Sequence, residues 1–275
     1  MTPLETMVQV PGGRVHAMAD GDGPPILLLH AGIADLRAWD AMVPFLVAAG
    51  YRAVRYDERS VGRSETADVA FSRRADALAV MDALGIERAA LVGNSLGGIT
   101  ALDLALEAPD RVVALVTVAS GISGFDGGAT PAELEAWAAM EAAEAAGDGE
   151  RIADVDVRFW VDGVGQPESR VDPAIRELVR AMDRPSCEPG HVSGRPIPLE
   201  PPAAARLADV AVPTLAVAGD LDASSTHEAA RRIAESVPGA RRVSLPGVAH
   251  MIGMEAPGAL SALVTEHLAA LERWR

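Results

Sequence analysis

The chain predicts an α/β fold: a doubly wound, mostly parallel eight-stranded sheet with helices on both faces and an inserted helical cap. Three observations predict it. Short uninterrupted apolar runs, such as Ile26-Leu27-Leu28-Leu29, are hydrophobic without alternation, as in strands buried on both faces. These runs take turns with stretches of helical spacing, the signature of right-handed strand–helix–strand units. The order breaks once, after Ser120, and resumes near residue 206.

The elements follow in sequence. Residues 7–19 alternate apolar and polar positions around Pro11-Gly12-Gly13 and read as a two-stranded hairpin. A buried strand follows at 26–30, bounded by Gly23-Pro24-Pro25 and Gly32, then helical spacing over 36–49 that stops at Gly50. Strands at 52–56, 89–92 and 112–119 alternate with helices at 71–84 and 96–107. After a glycine-rich loop, 131–146 is an Ala/Glu-rich helix, and 149–205 is cut by eight prolines into short pieces. The alternation returns with strands at 212–218 and 241–245 and helices at 226–237 and 255–274. The core is therefore assigned to 1–120 and 206–275, and the inserted cap to 121–205.

Composition narrows the class of function. There are 24 Lys+Arg against 39 Asp+Glu, a formal net charge of −15. An acidic surface repels phosphate backbones and anionic membranes, so neither nucleic acid nor a membrane is expected as a partner. A single cysteine, Cys187, excludes an internal disulfide and a cysteine-built metal site, and no metal or organic cofactor is implied. The N-terminal residues lack the basic start and apolar run of a signal peptide, and no run approaches the ~18 apolar residues of a membrane span. A cytoplasmic monomer or homodimer is the expectation.

The chemistry is concentrated in Gly93-Asn94-Ser95-Leu96-Gly97-Gly98, where Gly-x-Ser-x-Gly lies between a strand and a helix. A turn this tight exposes the serine as a nucleophile in a strained conformation, and the helix behind it offers free N–H groups to developing negative charge. No Gly-Lys-Ser/Thr follows, and Gly-x-Gly-x-x-Gly is absent, which argues against a phosphate or dinucleotide loop. A serine hydroxyl needs a base, and the base an orienting acid. Downstream of Ser95, His267 and His227 fall in helices, where a histidine is usually only solvated, and His191 falls in the proline-broken insertion. His250 lies in the loop between the last strand and last helix and is the expected base. The acid comes from Gly219-Asp220-Leu221-Asp222, with Asp222 preferred and Asp220 the alternative, the other one bracing the loop. The backbone N–H groups of Leu96 and Gly32, with Ile33 next, are the expected oxyanion donors, while His30 braces its loop.

Together these segments resemble the α/β-hydrolase superfamily along the whole chain apart from 121–205. Tyr56-Asp57-Glu58-Arg59-Ser60-Val61-Gly62-Arg63-Ser64 resembles the family's Asp-x-Arg-Gly-x-Gly-x-Ser segment, and the loops around Asp222 and His250 resemble its acid and base loops. The first of those loops favours Asp222 over Asp220. Ser60, Ala31 and Ala249 stand where the family usually has glycine. The resemblance implies that Asp57 and Arg59 are structural and that the insertion caps the site. Phe159, Trp160, Met182 and His191, together with Ile33 and Met251, are the candidate pocket residues, cap packing being the alternative role. It further implies a serine hydrolase for a small to medium carboxylic ester or lactone, in the manner of carboxylesterases and enol-lactone hydrolases. Carbon–carbon bond hydrolysis or cofactor-free haloperoxidase/perhydrolase chemistry is the alternative, and non-catalytic ligand binding a further one. The dehalogenases and epoxide hydrolases of the fold need an aspartate where Ser95 stands.

Overall fold

The computed structural model describes residues 3–271. Its main sheet consists of β1 (Leu4–Val10), β2 (Gly13–Asp20), β3 (Pro25–Leu29), β4 (Arg52–Tyr56), β5 (Ala89–Asn94), β6 (Val112–Val118), β7 (Thr214–Gly219) and β8 (Arg241–Leu245). Their spatial order is β1-β2-β4-β3-β5-β6-β7-β8. β2 runs antiparallel to both β1 and β4, and the pairings from β4 to β8 are parallel. A two-residue strand, Glu65–Thr66, also pairs with β2.

Alternate residues of the central strands feed two separate cores, which is why the runs are apolar throughout. Leu27, Leu29, Val54 and Leu91 point to one face, where they meet α2 (Arg73–Ala83), α3 (Leu96–Glu107) and α7 (Ser224–Ser236) through Val80, Leu102 and Ile233. Ile26, Leu28, Ala53 and Val92 point to the other, against α1 (Val43–Ala48) and, further along, α9 (Pro257–Ala269) through Leu46, Leu260 and Val264. Leu27, Leu28 and Leu91 are fully buried, each contributing roughly 1.5–3 kcal/mol by transfer.

The chain between β6 and β7 adds no strand to the main sheet. It carries α4 (Pro131–Ala146), α5 (Gly149–Asp156) running directly into a π-helical stretch, Val157–Asp162, and then α6 (Pro173–Cys187). The Thr130 hydroxyl and the Glu133 carboxylate cap the start of α4 reciprocally.

Proline chemistry accounts for most differences from the expected elements. The helix expected over 36–49 is a 3-10 turn, Leu36–Trp39, followed by α1, because Pro44 lacks the N–H of a helix interior and sits in a first turn. The last helix divides into α8 (Ile252–Glu255) and α9 at Ala256, which Pro257 holds out of the helical region at φ −135°, ψ 53°. Trp274, its expected end, lies outside the described residues. Phe71, expected in a helix, is in a two-residue strand paired with Arg195–Pro196, and Ser72 caps α2 instead. Conversely, Pro185 sits inside the last turn of α6 and does not end it. His267 is not a solvated helical histidine: it is buried, with Nε2 3.3 Å from the Pro213 carbonyl oxygen, and burial lowers its pKa.

Candidate active site

Strand β5 ends at Asn94 and α3 begins at Leu96, so Ser95 alone makes the turn. It does so at φ 53°, ψ −116°, a conformation that costs about 1–3 kcal/mol outside glycine and persists only where surroundings impose it. The surroundings are backbone. A Cβ at Gly93 would lie 2.2 Å from the Gly97 carbonyl oxygen, and one at Gly97 would lie 2.2 Å from that of Leu29. The Ser95 N–H donates to the Val118 carbonyl at 2.9 Å, tying the turn to β6. Leu96 opens the first turn of α3, where N–H groups have no acceptor within the helix. Gly32, in the loop after β3, faces it: a Cβ there would stand 3.5 Å from Leu96 Cδ2.

His250 follows β8 and is 3 % exposed. Its Nδ1 lies 2.9 and 3.0 Å from the two oxygens of Asp222, in the loop after β7. Asn94 Nδ2 donates to the His250 carbonyl at 3.3 Å, and the His250 N–H donates to the Trp160 carbonyl at 3.2 Å. Asp220 points elsewhere and accepts the Gly247 N–H at 2.7 Å, bracing the loop. Glu255 accepts the Ala249 N–H and pairs with Arg170, which also bonds the Gly247, Val161 and Asp162 carbonyls. The base loop is thus fastened to the inserted segment.

Ser95 and His250 line one cavity of about 410 Å³, whose other walls are Ile99, Phe125, Trp137, Trp160 and Ala229 among others. A second cavity of about 330 Å³ opens on the Gly32 and Leu96 side, walled by Glu58, Arg73 and His191. Of the pocket residues expected from sequence, Trp160 is in the first cavity and His191 in the second. Met182 and Met251 are buried in a common apolar cluster with Ala31 and Val161, with Ile33 packed against it. Phe159 is buried, edge-on to Trp160 with ring centroids 4.4 Å apart. Trp137, Phe125 and Ile99 wall the first cavity as well, beyond the residues expected from sequence. Ile99 stands one turn beyond Ser95 on α3, a spacing that could have flagged it; nothing local marks the other two.

The segment after β4 is structural. Asp57 accepts the Leu36 and Arg63 N–H groups and contacts His16, while Arg59 forms a buried pair with Asp76. Ser60 holds φ 61°, in the left-handed region open to glycine. His30 accepts the Glu58 N–H on Nε2, with Nδ1 2.8 Å from the Ala31 carbonyl, and so braces its loop.

Residues 24–160 match the family model described as alpha/beta hydrolase fold. Rhodomycin D methylesterase DauP of Streptomyces sp. strain C5 is 30% identical, over 93% of this chain and 94% of its own. The chain belongs to the alpha/beta hydrolase family. Within that family, Est816, described as an N-acyl homoserine lactone degrading enzyme, superposes at a TM-score of 0.74 and 26% identity, covering 95% of this chain and 99% of its own. The enol-lactonase of Burkholderia xenovorans LB400 superposes at 0.76 and 25% identity, covering 96% and 100%. As an alpha/beta hydrolase with full-length hydrolase relatives, the chain is an ester-acting hydrolase.

Proposed function

We propose that this alpha/beta hydrolase cleaves a small to medium carboxylic ester or lactone through an acyl-enzyme on Ser95. The observation that carries the reading is the engagement of His250 Nδ1 by both oxygens of Asp222, which leaves Nε2 as the free nitrogen of an imidazole that shares a cavity with the Ser95 side chain. Nε2 takes the Ser95 proton, Asp222 holds the ring and offsets its charge, and the serine oxygen attacks the carbonyl carbon. The N–H groups of Leu96 and Gly32 receive the oxyanion. His250 returns the proton to the leaving alcohol, then activates the water that releases the acid. Residues 121–205 act as a cap, and the aromatic walls of the 410 Å³ cavity favour an apolar group beside the reacting carbonyl. A methylesterase, a lactone-degrading enzyme and an enol-lactonase, each similar over at least 93% of this chain, support an ester or lactone bond; the dienoate hydrolases among the relatives match about 39% of it and keep carbon–carbon cleavage as the second reading. In the test, Ser95→Ala abolishes p-nitrophenyl ester turnover and fluorophosphonate labelling while the thermal melt stays cooperative. Turnover retained by Ser95→Ala overturns the proposal.

A further inference from the structure

The inserted segment buries two carboxyls against each other. Asp156 ends α5 and Asp183 lies on α6, and both are almost wholly buried. They are hydrogen-bonded to one another, and with the Cys187 sulfur their polar atoms all fall within 4.8 Å. Trp160 stands one turn beyond Asp156, in the π-helical stretch that continues α5. Trp160 in turn lies against His250, ring centroids 4.4 Å apart at 42°, and its carbonyl receives the His250 N–H. The Asp183–Asp156 contact is thus joined to His250 through the helical run that carries both Asp156 and Trp160.

We propose that the Asp156–Asp183 pair is a positioning device for the base: sharing one proton, it fastens to α6 the helical run that carries Trp160 and so holds that residue against His250. The inference rests on His250 being the base. Its physical ground is that two buried carboxylates in contact cannot both be ionised. Among the described residues, the charged and titratable groups that act on Asp156 are Asp183 and Cys187 from α6 and Glu144 from α4, all of them acids. Asp162, by contrast, is answered by Arg158 and Arg176. Burial first, then Asp183 and Glu144, push Asp156 up to about 8. Burial raises Asp183 as well, and Cys187, its thiol pushed up by burial, stays a donor 3.4 Å from Asp183 Oδ2. While the proton is shared, Asp156 donates to Asp183 and the two helices stay joined. Once it leaves, like charges drive α5 and α6 apart, and the ring beside the base loses its anchor.

The test is a pH profile of kcat and KM for p-nitrophenyl acetate, with Ser95→Ala as the blank. Wild-type kcat should fall about tenfold between about pH 7 and about pH 9.5, along an apparent pKa near 8, with KM little changed. Asp156→Asn keeps one donor and one acceptor without a charge and should flatten that limb at near wild-type kcat. Asp183→Asn, which leaves Asp156 a neutral neighbour, should do the same and serves if the first variant folds poorly. Asp156→Ala should lower kcat at every pH by about tenfold or more. A wild-type profile level to pH 9.5, or an Asp156→Asn profile that keeps the full wild-type fall, overturns the inference. Wild-type inactivity, or turnover by Ser95→Ala, would instead overturn the reading of the site on which it rests.

Discussion

At the scale of single residues, two carboxylates two positions apart do different work. Asp222 holds the imidazole, whereas Asp220 answers a backbone N–H at Gly247. Asp222→Asn should therefore lower kcat by roughly 10³–10⁴-fold with little change in melting, since the amide presents a donor to a ring nitrogen that needs an acceptor. Asp220→Ala should spare most of kcat and cost at most about 1 kcal/mol of stability, because the Gly247 N–H is exposed and water takes the place of the lost acceptor. Steady-state kinetics and urea unfolding of the two variants separate the roles, and the opposite ranking would exchange them. Ser95 and the glycines around it were legible in the sequence because a backbone clash leaves no alternative: only glycine fits where a Cβ would stand 2.2 Å from a carbonyl oxygen. The choice between Asp220 and Asp222 was not legible from spacing. It depends on how the loop after β7 turns against residues 247–250, a contact between segments 27 and 28 positions apart in the chain.

At the scale of elements, the same division recurs. The core strands were legible from their continuous apolar runs because both faces of the sheet are covered, and the helix at 131–146 from its Ala/Glu-rich composition. The inserted helices were not, because the proline count suggests broken pieces while α6 accommodates Pro185 in its last turn. What packs α5 against α6 is a set of polar pairs that no periodicity shows. One of them has a thermodynamic consequence. Because Asp156 is raised to about 8, the folded protein keeps a proton that the unfolded chain has lost above the ordinary carboxylate range. Stability from this group is thus full below that range and falls as pH rises towards 8, at up to about 1.4 kcal/mol per pH unit for one proton. Asp156→Asn should remove this slope, so the variant should melt higher than wild type at pH 8 and gain least near pH 4. Melting curves at the two pH values check it, and a gain that does not depend on pH would remove the proton from the explanation.

At the scale of the whole molecule, a cavity walled by Ile99, Phe125, Trp137 and Trp160 sits in a protein whose formal charge is −15. The apolar walls act at contact range and discriminate by shape, while the charge acts over a Debye length and discriminates before contact. These two influences can be separated by salt. Raising ionic strength from about 0.01 M to about 0.15 M shortens the screening length from about 30 Å to about 8 Å, so it should relieve the repulsion felt by an approaching anion. For an ester bearing a free carboxylate, kcat/KM should rise several-fold over that range, carried by KM, with kcat unchanged because the screened repulsion acts on approach, before the bond-making step. For a neutral ester of the same acyl chain, neither constant should move. The comparison requires one acyl group and two alcohols differing only in charge, so that cavity contacts cancel and the field remains. Equal salt responses for both esters would mean that the acidic surface does not reach the cavity mouth, and that substrate choice is made by its walls alone.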